Sequence, residues 1–219
     1  MSTRACGIAA VLLATLAAAE EPALRVTRSR IQINPALAHA YSSWNAGDLA
    51  GADAAYARVL KAEPANRDAL HGTAAVALRL NDRDRAEDAY RRAVAADPND
   101  AVAQAGLAGL QGEANPLAAE SRLKSLIAGQ PDQPCLQFAL GNAYAAMKRW
   151  NDAQRAFFSA HAGDPGNPDY LFNLAISLDH LREHTLALSY YGKAIAAAGR
   201  RPAAFDPALA AARLKELQR

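Results

Sequence analysis

Small and large apolar residues recur along this chain with a period of 33 or 34 residues. A small residue recurs at Ala52, Ala86, Ala119, Ala153 and Ala187. A large apolar residue follows each of these alanines four positions later, which places it on the same face of a helix. These large residues are Tyr56, Tyr90, Leu123, Phe157 and Tyr191. Internal repetition with this period is typical of a stack of helical hairpins.

Each period contains two predicted helices. A second small residue recurs upstream of each alanine, at Ala40, Ala74, Ala108, Gly141 and Ala175. Small residues on two facing helices let the helices approach closely. Prolines that end the second helix follow at Pro64, Pro98, Pro131 and Pro165, because proline lacks the N–H that a helix interior needs. The pairs Asn34-Pro35 and Asn167-Pro168 predict helix N-termini.

These positions resemble the tetratricopeptide repeat (TPR) family, whose pattern is W-x2-L-G-x2-Y, then A-x3-F, then P. The fourth repeat matches best, with Leu140-Gly141, Tyr144, Trp150, Ala153, Phe157, Ala160 and Pro165. The resemblance predicts an all-α TPR solenoid of five helix-turn-helix repeats with a C-terminal capping helix. The predicted repeats are 33–66, 67–100, 101–133, 134–167 and 168–201. The third is one residue short, and the deletion falls in the turn between its helices.

Three segments flank the predicted repeats. Residues 1–19 carry Arg4 before an apolar run and predict a signal peptide or membrane anchor. The run is shorter than the roughly 20 residues that a membrane span needs, which favours export. Residues 20–32 read as a linker, and residues 203–219 as the capping helix. A leader without any export function is the alternative, and it would leave the protein in the cytoplasm.

Composition narrows the classes of function. Hydrophobic residues make up 51% of the chain and aromatic residues 6%, and an alanine-rich chain favours packed helices. The formal net charge is +2 without a long basic run, so no nucleic-acid binding is expected. Of the two cysteines, Cys6 lies in the leader, so Cys135 is left without an intrachain partner once a leader is removed.

One motif suggests chemistry. His180-Leu181-Arg182-Glu183-His184 is formally H-x-x-E-H, a zinc-peptidase signature that needs both histidines on one helix. The repeat register places a helix break between these histidines, so we interpret them as surface residues beside a turn.

The glycines Gly106, Gly109 and Gly112 do not have the spacing of a phosphate loop. We therefore expect no catalytic residue, metal or cofactor, and a metal-dependent enzyme is the least favoured hypothesis.

The resemblance implies where a ligand would bind, because the first helix of each TPR hairpin lines a concave face. The predicted groove residues are Tyr41, Trp44, Asn45, His71, Leu78, Arg79, Phe138, Asn142, Phe172, Ile176 and Asp179. Tyr41 and Trp44 fit a groove and a helix interface equally well, whereas Phe138 and Phe172 favour the groove. Some family members clamp a C-terminal carboxylate, and Asn142 and Asn173 suit such a clamp. Phe138 occupies a position where it would need lysine, so a more apolar ligand is expected.

The predicted function is a non-enzymatic scaffold that binds another protein or a peptide. The leader and the fourth and fifth repeats look similar to bacterial envelope TPR proteins that help to assemble type IV pili or secretion complexes. This similarity predicts an exported, periplasmic or envelope-associated protein with a possible membrane tether at its N-terminus. The alternative is a cytosolic TPR adaptor or regulator. The partner and the oligomeric state do not follow from the sequence.

Overall fold

The computed structural model describes residues 34–112 and 114–218, and in this part the chain forms eleven α-helices and no strand. The predicted leader and linker, residues 1–32, lie outside the described residues. The helices are α1 (Pro35–Asn45), α2 (Leu49–Ala62), α3 (Arg67–Arg79), α4 (Arg83–Ala96), α5 (Ala101–Gly112), α6 (Pro116–Gly129), α7 (Pro134–Ala146), α8 (Trp150–Gly163), α9 (Pro168–His180), α10 (His184–Ala198) and α11 (Pro207–Leu217).

The helices pack in chain order as a stack of antiparallel pairs. Helix α1 packs on α2, α3 on α4, α5 on α6, α7 on α8 and α9 on α10, and each pair also contacts the next one. Helix α11 packs against α10. The predicted fold class, a solenoid of five helical hairpins with a C-terminal capping helix, is confirmed.

The odd-numbered helices form the concave face of the stack. Helix α1 contacts α3 and α5 contacts α7, so these helices lie side by side. Arg79, at the end of α3, donates a hydrogen bond to the carbonyl of Ala203, which lies 124 residues further along the chain. Hairpins separated by several repeats meet only on the side toward which a stack curves. The contact therefore marks the face of the odd-numbered helices as the inner one.

Local sequence explains where the helices begin. The side chains of Asn34, Asn167 and Asp206 each accept a hydrogen bond from a backbone N–H in the first turn, and proline follows each of them. This arrangement satisfies donors that have no partner within the helix. Asn115 caps α6 in the same way, directly after the shortened turn of the third hairpin. The predicted N-termini at Asn34 and Asn167 are confirmed.

The recurring residues of the sequence pattern form the core. Ala40, Ala52 and Ala153 are fully buried, and Tyr56 is 2% exposed. A Cβ atom on Gly72 would come within 2.1 Å of the Tyr56 ring, so the ring of the first hairpin rests on the bare backbone of the second. Burial raises the pKa of Tyr56 to about 12. The large residues thus fill the space between successive hairpins, as expected.

Candidate functional site

The histidines of the H-x-x-E-H motif lie on different helices. Helix α9 ends at His180 and α10 begins at His184, and Arg182 between them has a φ of 64°. The His180 ring stacks on Trp150 with centroids 3.7 Å apart. Within residues 34–112 and 114–218, no group of three or more His, Cys, Asp or Glu side chains is arranged to hold a metal ion. The geometry that a zinc peptidase needs is therefore not formed by this motif.

The middle of the concave face carries an apolar groove of about 480 Å³ between α3, α5 and α7. This central groove contains the predicted residues Leu78, Phe138 and Asn142. Leu78 is 43% exposed, and Asn142 is exposed as well. Phe138 is half-buried, with its ring centroid 4.9 Å from that of Tyr170. These three predicted residues are brought together, although they come from the second and fourth hairpins.

The third hairpin supplies the floor of the central groove. Val102, Gly109 and Leu110 of α5 line it, and Val102 is 44% exposed. A Cβ atom on Gly109 would meet nothing within 4 Å, so this glycine leaves open space between the flanking apolar side chains. The half-buried thiol of Cys135 also lines the groove, and burial raises its pKa, so the thiol stays protonated at neutral pH.

Sequence reasoning missed the contribution of α5. The third repeat departs most from the repeat pattern, so it offered few aligned positions. The available signal was the spacing of Gly106, Gly109 and Gly112, which lie at successive turns of one helix. All three glycines border the central groove, and Gly109 opens onto it, whereas Gly106 packs against the Tyr90 ring and Gly112 against Ala119.

Three predicted residues meet at the N-terminal end of the concave face. Trp44, Asn45 and Arg79 line a small cavity of about 150 Å³ together with Pro202 and Ala203. The Arg79 guanidinium lies 5.8 Å from the centroid of the Trp44 ring. Trp44 is half-buried and also packs on the core of the first hairpin. The core contact that the sequence left open is therefore formed, and a role of Trp44 in ligand binding stays a prediction.

Tyr41 and His71 make contacts within the stack. The Tyr41 ring lies edge-on to Tyr56 at 6.2 Å and is 41% exposed. His71 Nε2 is 2.7 Å from Asp100 Oδ2, and the other carboxylate oxygen of Asp100 accepts from the amide of Ala103 in the first turn of α5. His71 therefore joins α3 to the start of α5, and its role in ligand binding stays a prediction.

The C-terminal end of the concave face is covered by the chain itself. Phe172, Ile176 and Asp179 line a cavity of about 760 Å³ that Arg213 of α11 also borders. Arg213 donates to both Asp179 oxygens, at 2.7 and 2.9 Å. These bonds lower the pKa of Asp179. The Phe172 ring stacks on Phe205, with centroids 4.1 Å apart. Sequence reasoning missed these C-terminal contacts.

A comparison with protein families agrees with this architecture. The family model described as tetratricopeptide repeat matches residues 37–101 and 138–204, which is more than half of the chain. The chain belongs to the tetratricopeptide repeat family. The match is interrupted across the third hairpin, where the repeat pattern is weakest. A search of curated proteins found no significant match.

Solved structures of TPR proteins share the fold. The chain superposes on TTC0263 from Thermus thermophilus with a TM-score of 0.69 at 20% identity, covering 84% of this chain and 97% of that one. The TM-score is 0.59 with PilW, a type IV pilus biogenesis factor, at 20% identity and covering 84% and 85%. It is 0.55 with PilF from Pseudomonas aeruginosa, at 20% identity and covering 84% and 83%. At these identities the likeness is one of fold.

The TPR fold indicates a scaffold for protein–protein interaction. Stacked hairpins give an extended concave surface, which is how repeat proteins bind partners. No helix within the part of the chain that the structure describes is both long and apolar enough to cross a bilayer.

Proposed function

We propose that this TPR protein is an exported, non-enzymatic scaffold that holds a segment of another protein in its central groove. The observation that carries the proposal is the exposed apolar lining of that groove, with Leu78 and Val102 each more than two fifths exposed. Contiguous exposed apolar surface on a soluble fold typically marks an interaction site. The scaffold acts in the assembly of an envelope complex such as a type IV pilus or a secretion system.

The chemistry of the central groove defines the segment that fits it. The lining is apolar apart from Asn142, the Tyr90 hydroxyl and the Cys135 thiol among the described residues. Burying one leucine-sized side chain stabilises a complex by about 1.5–3 kcal/mol. Asn142 offers both a donor and an acceptor to a polar backbone or side-chain group. A helix or peptide with an apolar stripe therefore suits this site better than a charged tail.

The envelope location rests on the leader. Arg4 precedes the apolar residues 5–19, and Glu20-Glu21 follows, which is the order of regions in a secretory signal. The type of assembly is suggested by two structures that share the fold, PilF and PilW. PilW is a type IV pilus biogenesis factor.

The groove is tested by co-purification from envelope extract. The parent protein is compared with Val102→Asp and Leu78→Asp, which place a charge on exposed positions of the central groove and spare the core. The matched control is Phe158→Asp, since Phe158 is 51% exposed on α8, outside the groove lining. We expect the parent and the control to recover the same envelope component and the two groove variants to lose it. Equal recovery of the envelope component by all four proteins would show that the central groove is not the binding site.

The export signal is tested by the N-terminus of the protein in cells. We expect mass spectrometry of the protein from the periplasmic or envelope fraction to show a chain that begins near Glu20. An N-terminus that starts before Ala5 in the same fraction would indicate an uncleaved anchor instead. A full-length chain found only in the soluble cytoplasmic fraction would overturn export and favour the cytosolic adaptor.

A further inference from the structure

The segment between α10 and α11 contacts both the fifth and the second hairpins. We call residues 201–206 the strap. Arg201 at its start donates two hydrogen bonds to Asp164, at 2.9 and 3.0 Å. The next residues reach Arg79 of α3, which belongs to the second hairpin. The strap therefore lies against the start of the fifth hairpin and also contacts the Arg79 side chain of the second hairpin.

The backbone of the strap is held by side chains. Arg79 Nη1 donates to the carbonyl oxygen of Ala203 at 2.8 Å. The amide of the next residue, Ala204, donates to Asp169 Oδ1 at 2.7 Å. Neither alanine lies in a helix. Side chains that bind successive backbone groups recognise the conformation of a chain whatever its sequence, so Arg79 and Asp169 also fit another segment with the same bend.

An aromatic contact gives this site its preference. The Phe205 ring lies parallel to Phe172, with an interplanar angle of 9° and centroids 4.1 Å apart. Phe172 is fixed in turn by Tyr191, which meets it edge-on at 5.9 Å. A stacked pair of rings contributes beyond the apolar area that it buries. The strap thus presents two small residues and then an aromatic residue to a preformed site.

We propose that residues 203–205 are an internal ligand, and that an uncharged partner segment with the same bend and the same order of two small residues and one aromatic binds Arg79, Asp169 and Phe172 by displacing them. The proposal rests on the proposed function and adds two statements to it. The partner segment that binds beside Phe172 resembles the strap, with two small residues followed by an aromatic residue. The site is closed until the strap leaves.

The strap is suited to displacement. Both backbone hydrogen bonds are solvent-exposed, so water replaces them when the strap leaves. While attached, the strap competes at the high effective concentration of a tethered ligand. A free segment binds only to the molecules whose strap is open. Its apparent affinity is therefore its intrinsic affinity multiplied by the fraction of molecules with an open strap. Weakening the strap without touching the site must therefore raise the affinity for the free segment.

The test is an NMR titration of the protein with a capped, uncharged peptide of residues 202–205. The parent is compared with Phe205→Ala, which removes the ring of the strap and leaves Phe172 and Asp169 in place. We expect the amides of Asp169 and Phe172 to shift on titration, with half-saturation at up to about tenfold lower peptide concentration in Phe205→Ala. A peptide with alanine in place of its phenylalanine is expected to give no shift.

A second strap variant and a control variant separate displacement of the strap from other effects of substitution. Ala204→Pro removes the backbone N–H that donates to Asp169. It is expected to raise the affinity for the peptide, as Phe205→Ala does. Phe158→Ala alters an exposed ring outside the strap site and is expected to leave the affinity unchanged. If half-saturation is the same in the parent and in both strap variants, or if no protein responds at millimolar peptide, the strap is only a structural connection and the proposal fails.

The two proposals fail separately. Loss of an envelope partner from Val102→Asp, together with no peptide response at Asp169 and Phe172, would leave the scaffold function standing and remove the internal ligand. A peptide response without any envelope partner would support the internal ligand and remove the proposed scaffold function in the envelope. If both hold, an excess of the peptide is expected to release the envelope partner from Phe205→Ala at lower concentration than from the parent.

Discussion

At the scale of single residues, the most sensitive contacts are those between an aromatic ring and a glycine of the next hairpin. A Cβ atom on Gly106 would lie 2.4 Å from the Tyr90 ring, closer than any real contact. Gly109, three residues later in α5, has open space where its Cβ atom would be. The two glycines share a helix and differ only in what lies opposite. They form a matched pair for testing how the hairpins stack.

We expect Gly106→Ala to destabilise the protein and Gly109→Ala to stabilise it. The added methyl group at Gly106 overpacks the interface with Tyr90 and costs about 1–3 kcal/mol. At Gly109 the change only removes the conformational freedom of glycine from the unfolded chain, which is worth about 0.5–1 kcal/mol in a helix. The free energies of unfolding from denaturant titration measure both. Equal effects of the two substitutions would contradict the packing of the Tyr90 ring on α5.

At the scale of secondary-structure elements, α11 is held to the stack by apolar packing and by one polar cluster. Ala210 is buried and Leu214 and Leu217 pack against the core, whereas Leu209 is 68% exposed. Arg213 joins it to Asp179 of α9 through two hydrogen bonds, at 2.7 and 2.9 Å. Tyr191 donates to the same carboxylate at 3.3 Å, and His184 Nδ1 lies 3.9 Å away. The last helix is thus fastened to the stack partly by a carboxylate whose charge changes with pH.

We expect the contribution of Asp179 to disappear in acid. Its pKa is lowered, first by the hydrogen bond from Arg213, so the ionised form is favoured in the folded state. The stabilisation is complete above the unfolded pKa of about 3.9 and is lost as the pH falls through the lower folded pKa. In melting experiments, Asp179→Asn should be less stable than the parent at pH 6. The difference should shrink progressively as the pH falls below the unfolded value.

A double-mutant cycle assigns this effect to the pair. Arg213→Gln removes the positive partner, and the double variant with Asp179→Asn measures the coupling between the two side chains. The coupling should be present at pH 6 and should decrease as the pH falls below about 3.9. A coupling that does not change with pH would show that the contact of α11 does not depend on the charge of Asp179.

At the scale of the whole molecule, the strap changes the connectivity of the stack. In a solenoid each hairpin contacts only its neighbours, so stability is nearly a sum of local terms. The hydrogen bond from Arg79 to Ala203 adds a contact between residues 124 positions apart. Arg92 makes a comparable bond to the carbonyl of Pro64, at 3.1 Å and only 28 positions away. The two arginines make the same kind of bond over very different spans of chain.

We expect Arg79→Ala to loosen the strap and Arg92→Ala to leave it unchanged. Each substitution removes one exposed hydrogen bond, which costs about 1 kcal/mol or less. Hydrogen exchange should show that the amide of Ala204, which donates to Asp169, exchanges faster in Arg79→Ala alone. The same exchange rate at Ala204 in both variants would mean that the strap is held without Arg79.

The candidate site was predictable only in part. Leu78, Phe138 and Asn142 were predicted from the repeat register, and the structure brings them together in the central groove. Val102 of the third hairpin was missed, because its repeat departs from the pattern on which the prediction relied. Phe172 was placed in the groove, and the structure shows it stacked on Phe205 of the strap. The ligand-binding role of all these residues stays a proposal.

The sequence alone determined the elements: the period of 33 or 34 residues, the small residues where helices meet, and the caps at Asn34 and Asn167. These features depend on contacts within a hairpin or between neighbours, and such contacts leave a regular pattern along the chain. Only the tertiary structure decided that Arg79 meets Ala203. That contact depends on the curvature of the stack, which is the sum of small rotations between successive hairpins, and no short stretch of sequence encodes it.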